Sequence, residues 1–276
     1  MINVTKTDLP SLAEYDIHLK KIWESHWVTN DGELVKTLEK KLSNLLNVKD
    51  LVLVNNATSG LLIALKALGV KGEVITTPFT FAATTNVILW ENLIPVFADI
   101  DPYTLNIDPV DVEKKISKQT CAILAVHVYG NPCDVEALAR IAKKYNLKLI
   151  YDAAHAFGVK FKNKSILNYG DISVLSFHAT KTFHTIEGGA LASKNHKLAE
   201  QLKLYRNFGI KSEEEVILPG INAKMNEFQA AMGLSNLVSI DKNILKRKKV
   251  YEYYKKNLKG VNFQRLSSTK YNYSYM

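Results

Sequence analysis

The stretch SFHATKTFHTIEGGA, residues 176–190, sets one lysine, Lys181, between two apolar runs. Its flanks read DISVLSF and GGALAS, both with the composition of buried strands. Lysine ordinarily stays on a solvated face. Lys181 is therefore either an awkward loop residue or an amine held where it can attack a carbonyl carbon. A second unusual residue is Asp152, which directly follows the apolar run LKLIY. A carboxylate at the end of such a run is costly unless it faces a cation. The alternative is an aspartate that caps the next turn. His155 follows in the same turn, DAAH, and can share the surroundings of Asp152.

Other residues with chemical potential also stand just after apolar runs. Ala57-Thr58-Ser59-Gly60 follows LVLVNN and opens a helical pattern. Small residues, hydroxyls and free N–H groups at a helix start can bind an anion, although Thr58 or Ser59 would equally serve as an ordinary cap. Phe81, in PFTF after EVITT, could cover a flat ligand or simply join the core. Ser176 ends the run before Lys181. His127, after CAILAV, reads as a satisfied strand histidine, and Asp134 as a helix cap.

These residues need elements to position them. Short β-branched runs recur at 51–56, 73–77, 93–99, 121–130, 147–153, 172–177 and 189–193. Helical patterns fall between them, at 58–68, 81–90, 134–145 and 197–208. Such alternation predicts an α/β domain with a mostly parallel sheet, whose ligands bind at the carboxyl ends of the strands. Residues before about 45 read as a helical lead-in, and 226–240 as a further helix. The basic segment 242–259 has helical spacing, with Ile244, Leu245, Val250, Tyr254 and Leu258 as its expected apolar side. YNYSY, near the end, could be a strand just starting. The expected division is a large domain, 1–235, and the start of a small one, 236–276.

Bulk properties set outer limits. Of 276 residues, 47% are hydrophobic and 23% charged, as in ordinary globular proteins. No run approaches the length of a membrane span. MINVTKTDLPS lacks a basic-then-apolar leader pattern, and two cysteines make neither a disulfide framework nor a metal cluster. A cytoplasmic location is expected, with no membrane or nucleic-acid partner. The net charge of +9 is concentrated in the basic helix, where it reads as a solvated face.

Taken together, the candidates match the needs of pyridoxal 5′-phosphate. Its phosphate wants N–H and hydroxyl donors, its ring an aromatic cover, its pyridinium nitrogen a carboxylate and its aldehyde a lysine.

The chain also resembles the DegT/DnrJ/EryC1/StrS family of nucleotide-sugar aminotransferases, which share the aspartate aminotransferase-like (type I) fold. The matching stretches include NATSGL (56–61), TTPFTFAATTNVI (76–88), YDAAHAFG (151–158), SFHATK with EGGA (176–190) and GINAKMNEFQAAMGL (220–234). The resemblance implies that Lys181 bonds the cofactor and shuttles a proton, and that Asp152 pairs with the ring nitrogen. His155 would stand near the ring's phenolic oxygen and Phe81 would stack on the ring. Ala57, Thr58 and Ser176 would hold the phosphate. Asn222 would reach it from a neighbouring subunit, which implies a homodimer with shared active sites. His184 stands where many relatives have Asn, a possible substrate contact. Relatives that dehydrate replace the lysine with histidine, so Lys181 favours amino transfer. Members normally continue further, so an incomplete small domain is expected, with a fragile dimer and poor amino transfer. The implied reaction moves an amino group from L-glutamate to the C4 keto group of a dTDP-4-keto-6-deoxy-hexose. The alternatives are a C3 aminotransferase on a related dTDP or UDP keto sugar, and an inactive or regulatory relative.

Overall fold

A computed structural model describes residues 6–275; Met1–Thr5 and Met276 lie outside the described residues. Two helices lead in, α1 (Leu12–Ser25) and α2 (Glu33–Leu46). The alternating part then runs β1 (Asp50–Val54), α3 (Ala57–Ala67), β2 (Glu73–Thr76), α4 (Ala82–Trp90), β3 (Ile94–Phe97), α5 (Pro109–Lys115), β4 (Thr120–Val126), α6 (Val135–Lys144) and β5 (Lys148–Asp152). A small hairpin, β6 (Lys160–Phe161) and β7 (Lys164–Ser165), precedes β8 (Ile172–Ser176), β9 (Gly189–Ser193) and α7 (His196–Arg206). A second hairpin, β10 (Ile210–Ser212) and β11 (Glu215–Val216), leads to α8 (Glu227–Leu237) and α9 (Ile240–Asn257).

The seven apolar runs expected to be strands are the seven strands of one sheet, in the order β1-β9-β8-β5-β4-β2-β3. Only β9 runs against the others; it pairs antiparallel with both β1 and β8. All the parallel strands therefore end at one edge, and β9 begins there. Side chains alternate across the sheet. Leu51, Leu53, Ile123 and Ala125 join a core layer with α2, α6 and α8, whereas Val52, Val54, Ala122 and Leu124 join one with α3, α4 and α7. Helices thus cover both faces, as a parallel sheet requires.

Two sequence expectations change. Along α9 the buried residues are Ile240 and Tyr251, with Ile244 partly buried; Leu245, Val250, Tyr254 and Leu258 are exposed. The aromatic rings of Phe263, Tyr271 and Tyr273 pack on Tyr251, and this rotates the helix away from the stripe read in the sequence. The segment YNYSY does not form a strand; a single bridge joins Lys270 to Lys160. No helix among the described residues is long and apolar enough to cross a membrane.

The lead-in is fastened by a buried carboxylate. Glu227, at the start of α8 and only 2% exposed, accepts from the N–H groups of Leu34 and Val35, both at 2.9 Å. It thereby caps α2, whose own N-cap is Gly32 and has no side chain to do so. A Cβ on Gly32 would fall 2.4 Å from Glu227 Cδ, so this close approach requires glycine. Glu227→Ala should leave two buried donors unpaired and cost about 2–3 kcal/mol, read as a lowered urea midpoint.

Candidate active site

Adjacent strands β5 and β8 bring the two most telling residues together. Asp152 is the last residue of β5 and 6% exposed. Its Oδ2 accepts from the Thr84 hydroxyl at 2.9 Å, and its Oδ1 from the Ala154 N–H at 3.0 Å. Both donors are neutral, so no cation in direct contact compensates the carboxylate. Thr84 spends its one proton on Asp152, so Thr80, 2.7 Å away, must donate to Thr84.

Lys181 lies in the turn after β8, half-buried. Burial pushes its amine below the usual lysine value, and the nearby Asp152 carboxylate opposes this. Burial likewise raises Asp152, while the bonds from Ala154 and Thr84 and the charge of Lys181 lower it. His155, in the turn after β5, is held neutral: burial, helped by Lys181, depresses it to about 3. Its Nδ1 is buried and has no partner among the described residues. Lys181 thus acts electrostatically on both Asp152 and His155.

Phe81 stands at the N-cap of α4 and is 79% exposed. It lines a cavity of about 340 Å³ together with His155, Tyr129, Phe79 and Tyr275. It is not a core residue; its ring is free to cover a flat ligand there. A larger cavity, about 570 Å³, lies between Asp101, Asn106, Pro132 and Arg265, and neither lysine nor histidine lines it.

Ala57 and Thr58 open α3. The cap is Asn56, not Thr58 or Ser59: its Oδ1 accepts from Ser59 N at 2.8 Å. The N–H groups of Ala57 and Thr58 therefore remain without intrahelical acceptors. Gly189, the first residue of β9, pairs with Val54 on one side and Ser176 on the other. A Cβ there would lie 2.9 Å from Ala57 N, so glycine allows the start of α3 to settle beside Ser176. The expected anion donors converge in this way.

Asn222 lies elsewhere, exposed and bridged to Asn207, with its Oδ1 accepting from Lys224 Nζ at 2.7 Å. His184 is a correction. It is 3% exposed, and its Nε2 meets the Asp8 carbonyl at 2.7 Å, which can only accept. Its Nδ1 takes the Ile186 N–H at 3.3 Å, and Asn236 donates to its carbonyl at 2.9 Å. Nε2 thus joins the lysine turn to the N-terminal segment and Nδ1 braces the turn itself, so both ring nitrogens are engaged within the chain. Sequence reasoning missed Thr84, because ATTN offers two threonines and only packing on the sheet selects one. It also missed Tyr129, a non-glycine residue at φ 56°.

The chain is similar to known proteins in family, sequence and structure. The DegT/DnrJ/EryC1/StrS aminotransferase family matches residues 13–274. The chain belongs to that family. It is 48% identical over 260 residues to a dTDP-4-amino-4,6-dideoxy-D-glucose transaminase of Shigella dysenteriae, covering 94% of this chain and 71% of the relative. A transaminase of the same description from Escherichia coli is 45% identical, covering 99% and 75%. Among solved structures, DesI with its TDP-sugar product superposes with a TM-score of 0.92 at 34% identity, over 99% of this chain and 71% of DesI. The family is one of pyridoxal-phosphate-dependent aminotransferases, and a structure described as a putative PLP-dependent aminotransferase from Bacillus cereus superposes with a TM-score of 0.91 at 27% identity, over 99% of this chain and 77% of that one.

Burial also sets a pH dependence. His127 is fully buried, stacked 4.6 Å from Tyr151, and accepts the Cys133 N–H on Nδ1. Like His155 it is pushed to about 3 by burial. An unfolded chain would protonate both near the ordinary value of 6.5, so it binds more protons than the folded chain below that pH. Folding stability should fall as pH drops from 6.5 toward 3, and His127→Gln should flatten that slope. Urea midpoints collected from neutral pH downward test both.

Proposed function

We propose that this family member transfers the amino group of L-glutamate to the C4 keto group of a dTDP-4-keto-6-deoxy-hexose, giving dTDP-4-amino-4,6-dideoxy-D-glucose. The observation that carries the catalytic part is the electrostatic grouping of Asp152, Lys181 and His155 at the ends of adjacent strands, with both Asp152 bonds going to neutral donors. The sugar is inferred from the printed activity of the relatives at 48% and 45% identity.

The residues fit pyridoxal phosphate. Asp152 is a buried carboxylate in need of a cation, His155 Nδ1 is buried without a partner among the described residues, and two N–H groups without intrahelical acceptors stand beside Ser176. When bound, the cofactor supplies an aldehyde that exchanges amines and a ring that withdraws electrons. Asp152 would hold a proton on the ring nitrogen through a carboxylate oxygen. His155, neutral, would meet the ring's phenolic oxygen. Phe81 would cover the ring and exclude water. Ala57, Thr58 and Ser176 would bind the phosphate. The depressed proton affinity of Lys181 raises its fraction of free amine near neutral pH, which suits it to attack a carbonyl carbon and to take up and return a proton at Nζ.

Asn222 would serve a second copy of the chain in a homodimer with shared sites. It lies near the exposed apolar residues Phe208, Ile217 and Ile221, a surface suited to burial against a partner. Residues 1–235 would form the cofactor-binding unit.

The test supplies purified protein with glutamate and dTDP-4-keto-6-deoxyglucose, with a 3-keto isomer as the rival substrate, and identifies the product by mass spectrometry and NMR. Turnover of the 3-keto sugar alone would overturn the C4 assignment. Lys181→Ala should abolish turnover, since attack and proton return are lost together. Asp152→Asn should keep the cofactor bound while lowering turnover by about three orders of magnitude.

A further inference from the structure

The segment Tyr271–Tyr275 lies across the turns that follow three central strands. Tyr271 donates its hydroxyl to the Tyr129 carbonyl after β4 at 2.7 Å. Asn272, 2% exposed, donates Nδ2 to the carbonyls of His155 at 2.8 Å and Phe157 at 3.0 Å, after β5. Ser274 Oγ lies 3.0 Å from the same His155 carbonyl, 2.9 Å from Asn272 Oδ1 and 2.7 Å from Thr182 Oγ1, after β8. The fit is close enough to require glycine at position 130, where a Cβ would lie 2.6 Å from the His155 carbonyl and 3.1 Å from Asn272 Oδ1. The ring of Tyr275 then packs 4.6 Å from His155 and 5.3 Å from Tyr129.

Counting protons settles the direction of the central link. Ser274 has one hydroxyl proton, and two carbonyl oxygens, those of His155 and Asn272 Oδ1, can only accept it. Whichever receives it, Thr182 must donate its own proton to Ser274. Thr182 immediately follows Lys181 in the chain. We propose that Asn272 and Ser274 are positioning residues that join the His155 turn to the Lys181 turn, with the Thr182–Ser274 hydrogen bond holding the amine at its working distance from Asp152.

This inference rests on the reading of Lys181 and His155 as cofactor-binding groups. Asp152 and His155 are the titratable groups that share an electrostatic influence with the amine. A loosened lysine turn would admit water and make a positive charge at Nζ less costly, because burial is what disfavours that charge.

The bond can be cut from either side, by Thr182→Val or Ser274→Ala, so a folding failure in one variant leaves the other. The readouts are the pH midpoint of the bound cofactor's near-visible absorbance, and kcat and KM separately. Each variant should move the midpoint upward by about half a pH unit and lower kcat about tenfold, with KM for glutamate little changed. The double variant should be no worse than either single one, since both remove one bond. Thr182→Ser, which keeps the hydroxyl, should behave as wild type. An unmoved midpoint with wild-type kcat, losses that multiply in the double variant, or equal impairment by Thr182→Ser would each overturn the proposal alone. Wild-type protein that takes on no near-visible absorbance with pyridoxal phosphate would overturn the cofactor reading, and this inference with it.

Discussion

A carboxylate buried at the end of a central strand has to be compensated, and the site is organised around how Asp152 meets that demand. Two neutral donors, Thr84 and Ala154, satisfy its hydrogen bonds without cancelling its charge. Lys181 offsets part of the remainder from the next strand's turn, yet it is itself disfavoured as a cation by burial. Each group therefore favours the charged form of the other, against a burial that disfavours both charges. A cationic ring nitrogen would relieve Asp152 and leave Lys181 free to act as an amine. The same burial that makes the arrangement costly makes it reactive.

The sheet topology makes this grouping possible. Parallel strands deliver their carboxyl ends to one edge, so Asp152 and Ser176, although separated by a hairpin and a turn, end adjacent strands there. The one reversed strand, β9, contributes its beginning to that edge. Gly189 fits between Val54 and Ser176 and brings the free amides of α3 to the serine. An antiparallel strand at this place therefore closes the anion side of the site. A parallel one would have put its amino end at the opposite edge.

Much of the remaining structure holds these turns still. His184 spends both ring nitrogens on backbone groups, and Glu227 caps a helix far from it in sequence. The Tyr271–Tyr275 segment does the same at the strand ends, through side-chain donors to carbonyls that no sheet or helix satisfies. Irregular turns expose backbone acceptors, and buried acceptors need partners. Those obligations give a way to fix loops that the sheet alone would leave loose.

The sequence by itself determined the strands and the chemistry of the key residues. Six of the seven strands were legible because each is a short apolar run largely buried on both faces, so local composition and final environment coincide; β3, at the sheet edge, was legible from its apolar run although Ile94 and Phe97 are exposed. Lys181 and Asp152 were legible because an ionisable residue beside such a run conflicts with its surroundings. The assignment of helix faces and partners was not. The stripe of α9 turned with the aromatic rings packed on Tyr251, and His184 became a structural joint because Asp8 and Asn236 reach it from distant parts of the chain. The choice of Asn56 over Thr58 as cap, of Thr84 among neighbouring threonines, and of YNYSY as a strap and not a strand were likewise settled in three dimensions. Each depends on which donor meets which acceptor across large sequence separations, and local periodicity carries no record of those distances.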